Sequence, residues 1–367
     1  MKSTLCFLLL FLFGSIYLSG QNWQVVWHDE FDGDSLDAGK WSYQTGTGAE
    51  YGLTDWGNGE LQYYRERNVT VGEGMLTVTA KKEYYRGKAY TSGRIRTIGK
   101  GDWKYCRIEF RAKMPLGKGL WAAVWMLPTD EVYGGWAASG ELDIMEYLGH
   151  ESRKVHGTLH FGQSWPHNEY KGIDYDLSTS DFHTEFHDFA LEWIEGEIRW
   201  YVDNTLYQTL GSGDWWTNGG GFPAPFNQEF HLLINLAVGG NWPGEPNSTT
   251  RFPQDLVIDY IRIFQDLPLG TDEEMVKEQE QSGLLQNFPN PFQKTTTISY
   301  SLPEAEHVTL ELFDTKGRKI RTLEETDRTP GRYQVQMDGS TLPPGLYTCI
   351  LTAGKTRVFK RLVLLGN

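Results

Sequence analysis

The sequence of 367 residues contains only three cysteines, and it has no long apolar run after its first residues. Cys6 lies in the initial apolar stretch, and Cys106 and Cys349 are far apart, so a disulfide framework is not expected. The stability of the fold must therefore come from a hydrophobic core, for which the chain is long enough. No segment after residue 20 predicts a membrane-spanning helix.

Basic charge is also scarce. The formal net charge is −14, of which residues 1–264 carry −12, residues 265–283 carry −5 and residues 284–367 carry +3. A protein without a basic face has nothing that could follow a phosphate backbone. Nucleic acid is therefore not an expected partner.

Residues 1–20 predict a signal peptide that is removed on secretion. Met1-Lys2 precede an apolar run over residues 5–13, and the small residues Ser19-Gly20 end the segment. The run is too short to span a bilayer, and no cysteine follows the small residues, which argues against a lipid anchor. The alternative interpretation is a buried N-terminal strand.

The remainder predicts an all-β protein with two domains. All 14 tryptophans lie between Trp23 and Trp242, helical periodicity is nearly absent, and turns separate short strand-like runs. We expect a large two-sheet sandwich over residues 21–264, an acidic linker over 265–283 and a small second β-sandwich over 284–367. Strands are predicted near residues 95–97, 107–113, 187–193, 198–202 and 256–264, and in the second domain near 297–301, 308–313, 333–337, 345–352 and 355–365.

The feature with the clearest chemistry is Gly140-Glu141-Leu142-Asp143-Ile144-Met145-Glu146-Tyr147. In a strand, Glu141 and Asp143 point to the same face, and a bulge of one residue would bring Glu146 to that face as well. Two carboxylates arranged in this way can hydrolyse a glycosidic bond, one as nucleophile and one as acid. A third acid between them would change their proton affinities. A calcium loop or a surface acidic patch is the alternative, although the apolar residues between the acids are unlike either.

The same residues resemble the bulged catalytic signature of glycoside hydrolase family 16, in its laminarinase-like branch. The resemblance covers about residues 22–264 and rests on several motifs in the family's order. These are Trp27-His28-Asp29-Glu30-Phe31-Asp32-Gly33, Trp56-Gly57-Asn58-Gly59-Glu60-Leu61-Gln62-Tyr63-Tyr64, Tyr90-Thr91-Ser92-Gly93-Arg94, Gly119-Leu120-Trp121-Ala122-Ala123-Val124-Trp125-Met126-Leu127-Pro128, Val155-His156-Gly157-Thr158-Leu159-His160, Glu192-Trp193 and Asn235-Leu236-Ala237-Val238-Gly239-Gly240-Asn241-Trp242-Pro243-Gly244.

The resemblance implies a β-jelly-roll sandwich, of the concanavalin-like kind, whose concave face forms an open cleft. It implies that Glu141 is the nucleophile, that Glu146 is the general acid and base, and that Asp143 tunes them both. Trp121 and Trp125 are expected to be sugar platforms, with core packing as the alternative. Asn58 and Arg94 are expected in the glycone subsites, and His160 and Asn235 near the acids.

Catalysis by carboxylates needs no cofactor. The resemblance does imply one structural Ca²⁺ on the convex side, at positions that match Glu30, the backbone of Gly74 and Asp259. Oxygen ligands from distant strands suit this ion. The alternative is that Glu30 and Asp259 simply lie at the surface.

The C-terminal module carries a second resemblance. Asn287-Phe288-Pro289-Asn290-Pro291-Phe292, Leu312-Phe313-Asp314-Thr315-Lys316-Gly317, Leu342-Pro343-Pro344-Gly345-Leu346-Tyr347 and Lys360-Arg361-Leu362-Val363 resemble the sorting domain of type IX secretion substrates. This implies export through the Sec pathway and then the type IX machinery, to the cell surface or the medium. A carbohydrate-binding module is the alternative, although this segment contains no tryptophan.

Together these features predict a secreted, monomeric, retaining endo-glucanase that cuts internal β-1,3 bonds of laminarin-type glucans. Hydrolysis of mixed-linkage β-1,3/1,4-glucan or of an algal galactan is the nearest alternative. A non-catalytic glucan-binding protein would not need all three acids, and a purely structural surface protein leaves them unexplained.

Overall fold

The computed structural model describes residues 21–267, 283–284, 287, 290, 292–315, 317–354 and 356–365. The predicted signal peptide and most of the predicted linker, residues 268–282, lie outside the described residues. The chain divides into two compact units between Leu267 and Pro268. Among the described residues, no helix has the length and apolar character that crossing a membrane requires.

The first unit consists of strands and three short 3-10 helices, at Ala49–Tyr51, Thr54–Gly57 and Glu66–Asn68. Its strands, in chain order, are β1 (Trp23–Asp29), β2 (Ser42–Tyr43), β3 (Gln62–Tyr64), β4 (Val69–Gly72), β5 (Met75–Ala80), β6 (Tyr90–Ser92), β7 (Arg94–Arg96), β8 (Asp102–Trp103), β9 (Arg107–Lys113), β10 (Leu120–Pro128), β11 (Glu141–Leu148), β12 (Lys154–Gly162), β13 (Asn168–Asp176), β14 (His187–Ile194), β15 (Glu197–Val202), β16 (Thr205–Leu210), β17 (Phe230–Val238) and β18 (Gln254–Asp266).

Two eight-stranded antiparallel sheets form this unit. The sheet that we call the outer sheet has the order β16-β15-β14-β9-β18-β5-β4, and β1 also pairs with β18. The sheet that we call the cleft sheet has the order β13-β12-β11-β10-β17-β7-β2, and β8 also pairs with β17. The predicted all-β jelly roll is confirmed, and its middle strands come from distant parts of the sequence.

The alternation of apolar and polar residues explains how the sheets pack. Strand β15 buries Ile198, Trp200 and Val202, whereas the residues between them are only partly buried. On β10, Leu120, Ala122, Val124 and Met126 are fully buried. Each such aliphatic side chain contributes about 1.5–3 kcal/mol when buried. The core between the sheets therefore supports the opposite, cleft-facing side of β10 and β11.

The second unit contains a three-stranded sheet with the order β19-β20-β23 and a four-stranded sheet with the order β22-β21-β24-β25. Its strands are β19 (Gly283–Leu284), β20 (Thr295–Leu302), β21 (Glu306–Asp314), β22 (Lys319–Arg328), β23 (Gly331–Asp338), β24 (Gly345–Ala353) and β25 (Thr356–Leu364). A separate apolar core includes Ile298, Leu310 and Leu351, all fully buried.

Several strands of the first unit were not among the predicted ranges, for example β12, β13 and β17. Two further long strands differ from the predictions for a physical reason. Strand β22 was not predicted, because its sequence KIRTLEETDR buries no residue fully and lies at the edge of its sheet. Strand β18 runs to Asp266, which lies inside the predicted linker. In both cases backbone pairing with a neighbouring strand extends the sheet where the side chains show little apolar pattern.

Candidate active site

The three acids of β11 occupy one face of the cleft sheet because the strand contains a bulge. Asp143 lies opposite Thr158 of β12, but Glu146 lies opposite His156, so three steps along β11 match two along β12. The register with β10 shifts at the same place, where Val124 faces Met145 and Trp125 faces Asp143. The bulge expected from the sequence is therefore present and places Glu146 beside Asp143.

Each outer acid has a different hydrogen-bond partner. The indole nitrogen of Trp136 donates to Oε2 of Glu141 at 2.6 Å, and that of Trp121 donates to Oε1 of Glu146 at 3.1 Å. His160 Nε2 lies 3.8 Å from Oε1 of Glu141 and 3.4 Å from Oδ2 of Asp143. The Trp136 hydrogen bond and the nearby His160 imidazole therefore both favour the carboxylate form of Glu141.

Burial and mutual repulsion dominate the proton affinities of the site. Burial, together with the charge of Asp143, raises the pKa of Glu141 to about 7, although His160, Trp136 and Arg94 oppose that rise. The same two causes raise the pKa of Glu146 well above its ordinary value. Glu141 can therefore exchange a proton near neutral pH, and the raised pKa of Glu146 favours its protonated form, as an acid catalyst requires.

His160 balances part of this negative charge. Burial alone would lower its pKa, but the Asp143 carboxylate 3.4 Å away and the charges of Glu141 and Glu146 raise it to about 9. At neutral pH the imidazole is consequently a cation. Among the described residues, the only cluster of three or more metal-ligating side chains is Glu141, Asp143 and His160.

A tryptophan of the outer sheet forms a hydrogen bond with the backbone of the bulged strand. Trp200 of β15 is fully buried, and its indole nitrogen donates to the backbone oxygen of Asp143 at 2.9 Å. A backbone group freed by the bulge thereby gains a partner. The position of the acids is tied to the rigid core.

The residues predicted for the glycone subsites come together on the β17 and β7 side of the acids. Asn235 faces Arg94 across β17 and β7, and its amide oxygen accepts a hydrogen bond of 2.8 Å from the indole of Trp125. Arg94 is buried, receives support from Gln44 through Nε at 2.7 Å, and lies 4.5 Å from the ring centre of Trp56. Asn58, Arg94, Asn235, Trp121 and Trp125 all line the cleft.

Trp121 and Trp125 are half-buried and on the cleft face of β10. Their indole nitrogens are already bonded to Glu146 and Asn235, so both rings are fixed in orientation. Rings fixed in this way can serve as a flat surface for a sugar, and their hydrogen bonds also orient Glu146 and Asn235. Their role as sugar platforms stays a prediction.

The sequence reasoning missed several residues of the site. Trp136, which donates to Glu141, lies in a loop where no periodicity marks it. Glu60 is buried beneath Arg94 and accepts hydrogen bonds from Gln62 at 2.6 Å and Tyr64 at 3.0 Å. Trp165 and Tyr170 also line the cleft. Of these residues, only Glu60 could have been identified from the sequence, because it lies within the motif at residues 56–64.

The residues predicted to bind calcium lie on the outer sheet and the turn beside it. Both carboxylate oxygens of Glu30 accept hydrogen bonds of 2.8 Å from Arg262. Oδ2 of Asp259 accepts one of 3.1 Å from Arg111. Gly74 has a φ of +74° in the turn between β4 and β5. Each oxygen of Glu30 thus has one acceptor position taken by Arg262, and a cation at this place would share Glu30 with that arginine. Calcium binding stays a prediction.

The cleft that contains the acids is long and open on both sides of β11. It has a volume of about 1230 Å³ and is lined by residues of β7, β10, β11, β12, β13 and β17 and by the loop at residues 51–60. Aromatic rings, buried carboxylates and hydrogen-bonding side chains line it together. This combination matches the needs of a polysaccharide, whose rings stack on aromatics and whose hydroxyls need polar partners.

The fold and this pair of buried acids define a glycoside hydrolase. Residues 57–262 match the family described as Glycosyl hydrolases family 16. The chain belongs to that family. Residues 286–365 match the Secretion system C-terminal sorting domain, so the second unit is the type IX sorting domain that the sequence predicted.

Known proteins of the same kind are similar over the first unit. A Beta-glucanase of Rhodothermus marinus is 42% identical over 262 residues, which is 66% of this chain and 86% of that protein. Glucan endo-1,3-beta-glucosidase A1 of Niallia circulans is 40% identical over 265 residues, or 68% of this chain, but the match spans only 38% of that relative. The catalytic domain of an endo-1,3-beta-glucanase (laminarinase) from Thermotoga petrophila has a TM-score of 0.62 and 42% identity, and covers 68% of this chain and all of that domain, 100%.

Proposed function

We propose that this protein is an endo-acting, retaining β-glucanase that hydrolyses internal β-1,3 bonds of laminarin-type glucans. The observation that carries the proposal is the acid row of β11, in which Glu141 and Glu146 share one neighbour, Asp143, but have different partners. The similarity to glucan endo-1,3-beta-glucosidase A1 and to a laminarinase supports the choice of bond.

The first step in this proposal cleaves the glucan. Glu146, protonated because burial and Asp143 raise its pKa, gives its proton to the oxygen that leaves the anomeric carbon. The carboxylate of Glu141, which the Trp136 hydrogen bond orients at 2.6 Å, attacks that carbon from the other side. A glycosyl ester on Glu141 and a shortened glucan with a free hydroxyl result.

The second step releases the sugar. Glu146, now a carboxylate, takes a proton from water while the water oxygen attacks the anomeric carbon, and Glu141 leaves as a carboxylate. Asp143 and His160 keep the charge of the site nearly balanced through both steps. Because the ester is formed and broken with inversion each time, the β configuration is kept.

Endo action is supported by the shape of the cleft. Lining residues lie on both sides of the acid row, from Arg94 on β7 to Tyr170 on β13. A cleft of this form accepts the middle of a chain as well as its end. We further infer that the protein is a monomer and reaches the type IX machinery after Sec export through residues 1–20.

Product analysis tests the proposal. The purified enzyme is incubated in parallel with laminarin, lichenan, agarose and carrageenan, and proton NMR follows the anomeric signals of the first products. We expect rapid internal cutting of laminarin and first-formed β anomers. Preferential cutting of lichenan would indicate a mixed-linkage enzyme, and cutting of the galactans alone would indicate a galactanase. An α anomer formed first would contradict double displacement.

A further inference from the structure

The hairpin between β5 and β6 carries a basic, aromatic surface outside the cleft. Its residues Lys81-Lys82-Glu83-Tyr84-Tyr85-Arg86-Gly87-Lys88 contain four cations and one acid, so their net charge is +3. Residues 1–264 as a whole carry −12. None of the described residues 61–93 lines the cleft, and the proposed mechanism does not use the hairpin. Positive charge concentrated at one place on an acidic unit indicates a site for a negatively charged partner.

The tip of this hairpin is a tight turn with an unusual residue in it. The backbone nitrogen of Tyr85 donates to the backbone oxygen of Lys88 at 2.9 Å, and that of Lys88 donates to the oxygen of Tyr85 at 3.0 Å. Arg86 has a φ of +46° and Gly87 a φ of +88°, as in a type I′ turn. Asparagine and glycine favour such a turn, whereas arginine seldom adopts a positive φ. Turn stability therefore does not account for Arg86, which indicates a role for its side chain.

Two guanidinium groups are held in place by two tyrosine rings. Nη1 of Arg86 donates to the hydroxyl of Tyr63 at 3.2 Å, and its guanidinium lies 5.8 Å and 5.6 Å from the ring centres of Tyr63 and Tyr85. The guanidinium of Arg65 lies 3.8 Å from the ring centre of Tyr85 and donates to Glu83 at 3.0 Å. The two rings are 5.1 Å apart, edge to face. Because these groups are already ordered, they lose little conformational freedom when a partner binds.

Other groups of the hairpin are free to contact a partner. Tyr84 is 79% exposed, and Lys82 and Arg86 are exposed as well. Within the part of the chain that the structure describes, no carboxylate oxygen lies within 4 Å of the charged nitrogens of Lys82 or Arg86. An exposed ring thus lies in the same short segment as two cations that have no close counter-charge.

This combination of groups fits one class of partner. A guanidinium fork matches a planar anionic group in two parallel hydrogen bonds, and a tyrosine ring packs against the apolar face of a sugar. A single hairpin is too short to follow a phosphate backbone over several turns. It also exposes only one large ring, which is too little apolar surface for a membrane. A sugar polymer that carries negative charge uses both the cations and the ring.

We propose that the hairpin at residues 81–88, together with Tyr63 and Arg65, binds an anionic polysaccharide whose sugars carry carboxylate or sulfate groups. This partner differs from the neutral glucan proposed for the cleft. Lys88 joins the hairpin to the loop that forms one wall of the cleft, because its Nζ donates to Asp55 at 2.6 Å and to the backbone oxygen of Glu60 at 3.0 Å. A polymer held here keeps the cleft close to a matrix that contains both polymers, which raises the local concentration of substrate.

The test measures binding of the full chain to four polymers by biolayer interferometry at low and at high salt. Dextran sulfate and polygalacturonate supply sulfate and carboxylate groups, uncharged dextran supplies the same backbone as dextran sulfate, and duplex DNA supplies a polyanion without exposed sugar faces. The variants are Arg86→Asn, which suits the turn, Lys82→Gln and Tyr84→Ala. Lys104→Gln is the matched control, since Lys104 is also an exposed cation beside a tyrosine, 5.3 Å from the ring centre of Tyr105.

We expect the unaltered chain to bind dextran sulfate, polygalacturonate or both more tightly than dextran and DNA, and to bind less tightly at high salt. The polymer that binds more tightly identifies the anionic group. Arg86→Asn should weaken binding roughly tenfold, as expected for the loss of about one charge-assisted hydrogen bond. Lys82→Gln and Tyr84→Ala should weaken it several-fold.

Lys104→Gln should bind like the unaltered chain, and melting temperature and laminarin hydrolysis should stay unchanged in all variants, which shows that each one folds. Equal affinity for dextran and dextran sulfate would overturn the proposal, as would binding of DNA as tight as that of the polysaccharides. Equal losses in Arg86→Asn and Lys104→Gln would show that total charge and not the hairpin causes binding. Binding is measured without hydrolysis, so these outcomes are separate from a failure of the proposed function.

Discussion

The two sheets of the first unit differ in whether their carboxylates are paired with positively charged side chains. On the outer sheet, carboxylates are matched by arginines in close pairs: Glu30 with Arg262, Glu109 and Glu192 with Arg107, and Asp259 with Arg111. On the cleft sheet, Glu141 and Asp143 share His160 within 4 Å, and no ion pair of that length with Glu146 is found among the described residues. Paired charge stabilises the fold, whereas crowded acids raise their own pKa values and gain reactivity.

The difference arises from the strand order. Charged residues of the outer sheet face arginines on neighbouring strands, as Glu109 of β9 faces Arg262 of β18. On β10, Asp143 and Glu146 face the uncharged Trp125 and Ala123. On β12, the row faces His160, Thr158 and His156, so it meets imidazoles but no arginine across the ladder. Whether an acid is paired thus depends on the residue opposite it on the neighbouring strand. We call the outer sheet, where carboxylates are paired with arginines, the stable side, and the cleft sheet, where the three acids lie together, the reactive side.

The largest effect is expected from removing an acid on the reactive side. Glu141→Gln keeps the shape of the side chain but removes the nucleophile, so kcat/KM on laminarin should fall by at least about a thousandfold. Binding of laminari-oligosaccharides, measured by calorimetry, should persist. Glu169→Gln is a suitable control, because Glu169 contacts Trp216 through a hydrogen bond of 3.2 Å and lies away from the acids. Most of the activity surviving in Glu141→Gln would remove that residue from the mechanism.

Glu146→Gln sharpens the distinction between the two acids. Its loss on laminarin should be comparable, but substrates with a good leaving group need less help from an acid. Activity on a dinitrophenyl glycoside should therefore be partly spared in Glu146→Gln and not in Glu141→Gln. Equal losses on that substrate would contradict the assigned roles.

On the stable side, breaking a buried pair should cost stability instead of activity. The Arg262 side chain is only 4% exposed and that of Glu30 is 10% exposed, so Glu30→Gln leaves a buried guanidinium without its counter-charge. We expect the free energy of unfolding to fall by about 3–5 kcal/mol. Chemical denaturation in EDTA measures this without interference from calcium.

The control for that change is an exposed pair on the same unit. Lys171 and Asp214 are 2.6 Å apart with side chains 49% and 29% exposed, so Lys171→Met should cost less than about 1 kcal/mol. If the two variants lose the same stability, the contrast between buried and exposed pairs does not hold in this protein.

How much of this contrast the sequence could predict depends on the distance along the chain. The acid row and its bulge lie within six residues, so alternation and chemistry were enough to place Glu141, Asp143 and Glu146 on one face. Trp136 is five residues from Glu141, but an exposed ring in a loop leaves no pattern. The Glu30–Arg262 pair joins residues that are 232 positions apart, and only the fold brings such residues together.

The predicted ranges include strands in which apolar and polar residues alternate, but they lack strands without that alternation, such as the fully buried β17 and the largely polar β22. Strand β9 matches its predicted range, 107–113, because charged and apolar residues alternate along its sequence RIEFRAK. Strand β22 has ten residues, none fully buried, and pairs through its backbone with β21 at the edge of the sheet. A sequence pattern reports burial, so an edge strand that is polar on both faces gives little signal.

A smaller effect should appear in the pH dependence, with opposite signs for two neighbours. His160→Asn removes a cation that favours the Glu141 carboxylate, so the pKa of Glu141 should rise further above about 7. The acidic limb of kcat/KM then moves to higher pH. Asp143→Asn removes an anion, lowers the pKa of both glutamates and moves the profile to lower pH. We expect about one pH unit in each case. Shifts in the same direction would show that charge is not the main cause.

The smallest effect is expected from calcium, and it tests whether arginines alone neutralise the carboxylates of the outer sheet. The side chain of Asp259 is 39% exposed, and Arg111 donates to its Oδ2, so its other oxygen can meet a cation together with backbone oxygens near Gly74. Binding to the folded state alone would raise stability by mass action. We expect millimolar CaCl₂ to raise the melting temperature by a few degrees relative to EDTA. MgCl₂ should have less effect, because Mg²⁺ requires a stricter octahedral geometry. The Asp259→Asn variant should melt at the same temperature in CaCl₂ and in EDTA. Identical melting in calcium and EDTA would mean that the ion pairs with Arg262 and Arg111 complete this side without a metal. Activity should be nearly the same in both buffers, since the acids of the reactive side lie on the other sheet.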